Sequence, residues 1–172
     1  PVRAIAPLGG PVARELQDLL AAEGTPLTAV EIGGETRVFV GVRERETGRS
    51  MLLNPRGPEV TEAEGEALLE AMDEVLRSSP ASPWVVASGS LLPGLPPDFY
   101  VRVGRRARSH GARFVPDGDG PALAAAVPEA DLLVPNELEA ERLVERSVAT
   151  PEDAATAGRV LLGRGPERVV VT

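Results

Sequence analysis

Four groups of residues in this 172-residue chain have the types and spacing for work on anions and metal ions. Ser88-Gly89-Ser90 closes an apolar run that begins at Trp84. A glycine between two small hydroxyl residues lets backbone N–H groups approach an anion. Asp117-Gly118-Asp119-Gly120 follows a second apolar run, and its carboxylates are the hard oxygen ligands that Mg2+ prefers. Asn136 and Glu139 follow a third run, Asp131–Val134, and offer hard oxygen atoms at the spacing of a helix cap. Arg37, in Gly34-Glu35-Thr36-Arg37, carries the planar fork that matches phosphate in two parallel hydrogen bonds. Each group also has a plainer reading: an ordinary strand-to-helix turn, a solvated turn, an N-cap or a solvent-facing arginine.

The remaining composition narrows the chemistry. All 18 basic residues are Arg, so a Schiff base, a phosphate-gripping Lys and a Lys general base are excluded within this chain. It has no cysteine, which removes disulfides, thiolate zinc sites and Cys nucleophiles. The net charge of −8 argues against a nucleic-acid partner. No apolar run approaches the roughly 20 residues of a membrane span. No leader pattern opens the given sequence, and the expected location is cytoplasmic. His110, the sole histidine, stands beside Gly111 where a helix should end, so a helix-end role is expected of it rather than catalysis.

The elements that must position these residues follow from periodicity. Strands are expected at Val2–Ala6, Pro26–Val30, from Trp84, at Arg113–Val115, Asp131–Val134 and Arg168–Val171. Helices are expected at 13–22, from Thr61 to Arg77, and at 97–110, 121–127, 137–146 and 151–162. Thr61 with Glu64 has the spacing of a capping box. Strands alternating with helices imply a mostly parallel sheet. In such sheets ligands bind at the carboxyl ends of the strands, where three of the four groups lie. Residues 34–54 break this rhythm. They alternate with period two, Val38, Val40 and Val42 against Arg37, Phe39 and Arg43, around Thr47-Gly48, which predicts a β-hairpin. The given sequence stops at Thr172 directly after a predicted strand, and we expect it to be a piece of a longer protein.

The order and wording of three segments, Trp84 to Tyr100, Ala112 to Leu123 and Asp131 to Glu139, resemble the PfkB (ribokinase-like) carbohydrate kinases. The likeness is strongest to the branch of 1-phosphofructokinase and tagatose-6-phosphate kinase. The resemblance implies a ribokinase-like three-layer α/β fold with a small β-hairpin lid, present here in its central portion. It divides the chain into core at 1–33, lid at 34–54 and core continued at 55–172. It implies transfer of the γ-phosphate of ATP to a hydroxyl of a phosphorylated hexose, with ATP and Mg2+ as cofactors. By position, Arg37, Ser88, Gly89 and Ser90 fall on the substrate side, and Asn136, Glu139 and Asp117 on the ATP and Mg2+ side. No direct metal ligand is assigned. In these kinases the lid sheet often joins two subunits, which implies a homodimer through Thr36–Val42.

Several positions depart from the family pattern. Val134 stands where the branch commonly has Lys, Phe39 where it often has Asn, and Asp119 replaces a neutral residue. The Gly-x-Gly-Asp motif, whose Asp is the family's general base, does not occur here. The resemblance therefore assigns no catalytic residue, and the chain alone is expected to be inactive. A non-catalytic sugar-phosphate-binding or dimerising protein on the same fold is the alternative. Asp-x-Asp after an apolar strand is also similar to the haloacid-dehalogenase phosphatases, but those enzymes need a Lys.

Overall fold

The computed structural model describes residues 2–79 and 82–172. They form two compact units, Pro1–Ala71 with Leu92–Leu95, and Met72–Leu91 with Pro96–Thr172.

In the first unit, β1 (Ala4–Leu8) and β2 (Leu27–Glu31) pair in parallel, with Leu8 opposite Glu31. Helix α1 (Gly10–Ala22) connects them. Strand β1 begins and ends two residues later than Val2–Ala6, because Leu8 is buried and still pairs with β2. The loop after β1 depends on glycine. A Cβ on Gly9 would lie 1.9 Å from the Gly34 carbonyl oxygen and 2.5 Å from that of Ile32.

The expected hairpin is present but shorter. Strands β3 (Val40–Arg43) and β4 (Ser50–Leu53) run antiparallel, with Val40 opposite Leu53 and Val42 opposite Met51. Directly opposed residues share a face. The apolar face is therefore Val40, Val42, Met51 and Leu53, and Val38 and Phe39 precede the ladder instead of belonging to it. Residues 33–37 are held by other bonds. The Gly33 N–H donates to Glu64 Oε1 at 2.6 Å, and the Gly9 N–H donates to Thr36 Oγ1 at 3.0 Å. The Thr36 N–H donates back to the Gly9 carbonyl at 2.9 Å. Helix α2 (Glu62–Arg77) starts on the expected box: the Thr61 N–H donates to Glu64 Oε2 at 2.7 Å, and the Glu64 N–H to Thr61 Oγ1 at 3.2 Å.

In the second unit, β5 (Trp84–Ser88) and β6 (Arg113–Asp117) pair in parallel, Trp84 opposite Arg113 and Ser88 opposite Asp117. Helix α3 (Phe99–Ser109) connects them, starting two residues later than the pattern predicts. Gly104 lets α3 pack closely, since a Cβ there would meet the Phe114 ring at 2.7 Å. His110 is the C-cap of α3, and its Nε2 lies 3.0 Å from Asp73 Oδ1. Strand β6 reaches Asp117, beyond the expected Val115, because Pro116 and Asp117 continue the register with β5. Asp131 ties the next strand to β6. Its N–H donates to the Phe114 carbonyl at 2.9 Å, and its carboxylate accepts from the Phe114 N–H at 2.7 Å.

Strand β7 (Leu132–Leu133) pairs in parallel with β8 (Arg168–Val169), both shorter than predicted. Helices α4 (Gly120–Ala126), α5 (Glu137–Val144) and α6 (Pro151–Leu162) complete the unit. Helix α5 stops before Arg146 because Glu145 takes a left-handed conformation, φ 54°. Leu123, Val127, Leu133, Leu143 and Leu161 form one buried cluster beneath these helices. Among the described residues no helix is long and apolar enough to cross a membrane.

Candidate functional site

The ends of β5 and β6 bring two of the four groups into one cluster. Because Ser88 is opposite Asp117 in register, the Ser88 hydroxyl donates to Asp117 Oδ2 at 2.7 Å. The Gly89 N–H donates to the Asp117 carbonyl at 2.8 Å. Gly89 has φ +105°, a conformation that favours glycine. Nothing lies within 4 Å of where its Cβ would be, so the backbone is open to a ligand on that side. Ser90 is exposed beyond it.

Tyr100, which sequence reasoning missed as a site residue, closes this cluster from within. Its hydroxyl donates to the Gly89 carbonyl at 2.7 Å. Burial pushes the Tyr100 phenol above its ordinary pKa, and the negative charge of Asp117 pushes it the same way. Gly118 lies against both partners, 3.0 Å from the Gly89 oxygen and 3.1 Å from Tyr100 Cε2 measured from an added Cβ. The available signal was position, since this sole tyrosine falls in the first turn of the helix leaving the Ser88–Ser90 segment.

Asn136 and Glu139 form a complete capping box at the start of α5. The Glu139 N–H donates to Asn136 Oδ1 at 2.9 Å, and the Asn136 N–H donates to Glu139 Oε2 at 2.9 Å. The helix-cap reading of this pair is therefore present in full. One oxygen of each side chain is engaged, and Glu139 also lines a cavity of about 220 Å³ with Asp119, Gly120, Leu123, Arg142 and Leu143. Through Asp119 and Glu139 that cavity joins the loop after β6 to the start of α5.

Arg142, three residues after Glu139 on α5, is the second residue the sequence did not reveal. Its Nη1 donates to Asp119 Oδ2 at 2.5 Å. That bond holds the Asp119 carboxyl below the usual carboxylate range and raises the guanidinium, and the Gly120 N–H adds to the effect on Asp119. The acid at position 119 thus has a partner 23 residues away, which no local pattern announces.

Arg37 belongs to the first unit. Its Nη1 donates to Asn54 Oδ1 and to the Pro55 carbonyl, each at 3.4 Å, and its guanidinium lies 4.8 Å from the centre of the Phe39 ring. In the same unit the Val60 N–H donates to the Pro93 carbonyl at 2.8 Å. Gly94 is required there, because a Cβ would approach the Val60 oxygen to 2.2 Å.

Mg2+ commonly binds one or two carboxylates, water and substrate phosphates rather than an all-protein cage. Among the described residues no group of three or more His, Cys, Asp or Glu could hold a metal ion. Single carboxylates at Asp117 and Glu139, each with one oxygen engaged by the protein, fit the first mode and not the second.

The pfkB family carbohydrate kinases match the chain over residues 1–172. The chain belongs to this family. It is 31% identical to the ATP-dependent 6-phosphofructokinase isozyme 2 of Escherichia coli over 98% of its own length and 54% of that protein. It is 28% identical to the 1-phosphofructokinase of Bacillus subtilis, over 99% of its own length and 54% of the relative. The crystal structure of Escherichia coli phosphofructokinase-2 in complex with fructose-6-phosphate superposes with a TM-score of 0.86 at 31% identity, covering 98% of this chain and 55% of that one. The chain thus spans about half the length of the relatives it matches. Its fold is the ribokinase-like α/β fold of the family, as the three segments imply.

Proposed function

We propose that this chain supplies part of an ATP-dependent kinase that transfers the γ-phosphate to a hydroxyl of a phosphorylated hexose. Fructose 1-phosphate, fructose 6-phosphate and tagatose 6-phosphate are the candidate acceptors. The observation that carries the reading is the Ser88–Asp117 hydrogen bond, which joins the sugar-side turn to the metal-side loop at the ends of two paired strands. The family match over residues 1–172 supports it.

Arg37 neutralises the phosphate already on the sugar, and Ser88, Gly89 and Ser90 offer donors to its oxygens. Asp117, Asn136 and Glu139 face the ATP phosphates, and the two carboxylates would hold Mg2+ there. The metal would screen the charge of the phosphates while these side chains orient it. No side chain of this chain is assigned the proton of the attacking hydroxyl. Residues 34–54 act as a lid on one α/β core made of 1–33 and 55–172. The apolar hairpin face pairs with that of a second copy to form a homodimer, and the protein works in the cytoplasm.

Calorimetric titration with the three sugar phosphates, and with Mg-ATP, tests this reading. Binding of one acceptor is expected, weakened about tenfold or more by Arg37→Ala, which is about 1.4 kcal/mol. No turnover is expected from these 172 residues alone. Absence of binding by all three acceptors, or robust turnover abolished by Asn136→Ala, would overturn the respective parts.

The second reading is a non-catalytic sugar-phosphate-binding or dimerising protein on the same fold. The stacking of Arg37 on Phe39, and Val134 in place of a cation, favour it. Acceptor binding without Mg-ATP binding in a longer form carrying the Gly-x-Gly-Asp segment would select it.

A further inference from the structure

The Gly89–Ser90 peptide is restrained on one side and open on the other. Tyr100, only 7% exposed, donates its hydroxyl to the Gly89 carbonyl at 2.7 Å. The Gly89 N–H is engaged by the Asp117 carbonyl, so both backbone groups of Gly89 have protein partners. A trans peptide is planar, and its C=O and N–H point in opposite directions. With the Gly89 carbonyl turned inward to Tyr100, the Ser90 N–H turns outward. Among the described residues the Ser90 N–H has no acceptor, and Ser90 is exposed. Glycine at 89 would otherwise let this peptide plane rotate freely, because positive and negative φ cost it about the same. Glycine at 118 keeps the space clear, since a Cβ there would press on the Gly89 oxygen and the Tyr100 ring together.

We propose that Tyr100 is a positioning residue for the sugar phosphate: its phenol holds the Gly89–Ser90 peptide with the Ser90 N–H presented outward as a donor to a hydroxyl or phosphoryl oxygen. This rests on the reading of Ser88–Ser90 as the sugar-side turn. Tyr100 itself does not touch the ligand. Its loss frees the peptide to rotate and removes a pre-aimed donor, which weakens the sugar phosphate and leaves the nucleotide untouched. A residue that served stability alone would weaken both ligands in step with the fall in Tm.

The test is amide NMR of the chain titrated with fructose 6-phosphate and, separately, with Mg-ADP. In the wild type, the Ser90 amide is expected to shift on addition of fructose 6-phosphate. In Tyr100→Phe, the Gly89 and Ser90 signals are expected to move before any ligand is added. Its Kd for fructose 6-phosphate should rise about threefold to tenfold, the loss of one neutral hydrogen bond, with the Mg-ADP response unchanged. Gly118→Ala reaches the same bond from the other side and is expected to give the same selective loss, so the inference stays open to refutation if Tyr100→Phe does not fold. Unchanged fructose 6-phosphate affinity in the variants overturns the positioning role and leaves the site reading standing. Equal weakening of both ligands also overturns it. A wild-type Ser90 amide that stays still at saturating fructose 6-phosphate overturns the role and the site reading together.

Discussion

The β3–β4 hairpin and the β5–β6 pair are both two-stranded ladders, yet they are held in different ways. In the hairpin, Val40, Val42, Met51 and Leu53 form one apolar face and each is about half exposed. In the parallel pair, Phe114, Val115 and Pro116 are consecutive and all buried. An isolated two-stranded hairpin is marginal in water, so this one depends on its turn and on whatever its apolar face meets. The β5–β6 pair is anchored by a core and by side chains that reach its carboxyl ends. Binding groups placed on such an end inherit its rigidity, whereas groups beside the hairpin are held by a few exposed polar bonds.

Removing a core side chain should separate the two ladders most. Phe114→Ala is expected to cost about 3–5 kcal/mol. Leu52→Ala on the exposed hairpin should stay within about 0.5 kcal/mol. Chemical denaturation monitored by circular dichroism compares them, and similar losses would erase the distinction.

Next in size is the hairpin face itself. Val40→Lys is expected to weaken the proposed homodimer about tenfold or more while the unfolding midpoint of the monomer stays in place. Light scattering across a concentration series reads this. A wild-type monomer at high concentration, with its hairpin ordered, would refute the pairing.

A smaller effect belongs to the β5–β6 end. Because Tyr100 is the sole tyrosine, phenolate absorbance reports it alone. Its folded pKa is raised above the ordinary 10.0, first by burial and then by Asp117. The neutral phenol therefore stabilises the fold below pH 10, and this contribution is lost as pH rises through the folded value. Asp117→Asn should move the titration back toward 10.0 without reaching it, since burial remains. An unmoved titration would separate Asp117 from the phenol.

The smallest effect is expected at Asp119, which is half exposed in its pair with Arg142. The folded carboxyl is depressed, so its stabilisation is present above the ordinary value of 3.8 and is lost as pH falls through the lower folded value. Asp119→Asn should leave the midpoint at pH 7 nearly unchanged, because exposed ion pairs contribute little. It should also flatten the acid limb of the stability profile. A large loss at pH 7 would give this pair a weight that its exposure does not support.

The two ladders were also legible to different degrees. The hairpin is visible from alternation around Thr47-Gly48, but its ladder begins only at Val40, later than the alternation does. Gly33 and Thr36 spend their hydrogen bonds on Glu64 and Gly9, partners far along the chain. The β5–β6 pair and its crossover helix were visible from apolar runs and helical spacing. The Ser88–Asp117 contact follows once the register is known, whereas Tyr100 and Arg142 lie on helix faces whose targets no local pattern names.

By itself, the sequence determined the β-α alternation, the hairpin, the capping boxes at Thr61 and Asn136, the family, and the lack of lysine among these 172 residues. These rest on short-range periodicity, residue type and motif wording. Only the tertiary structure decided that Asp119 meets Arg142, that Arg37 stacks on Phe39 beside Asn54, and that the Tyr100 hydroxyl meets the Gly89 carbonyl. Side-chain bonds between distant segments depend on strand register and helix rotation, which are set by burying the core as a whole.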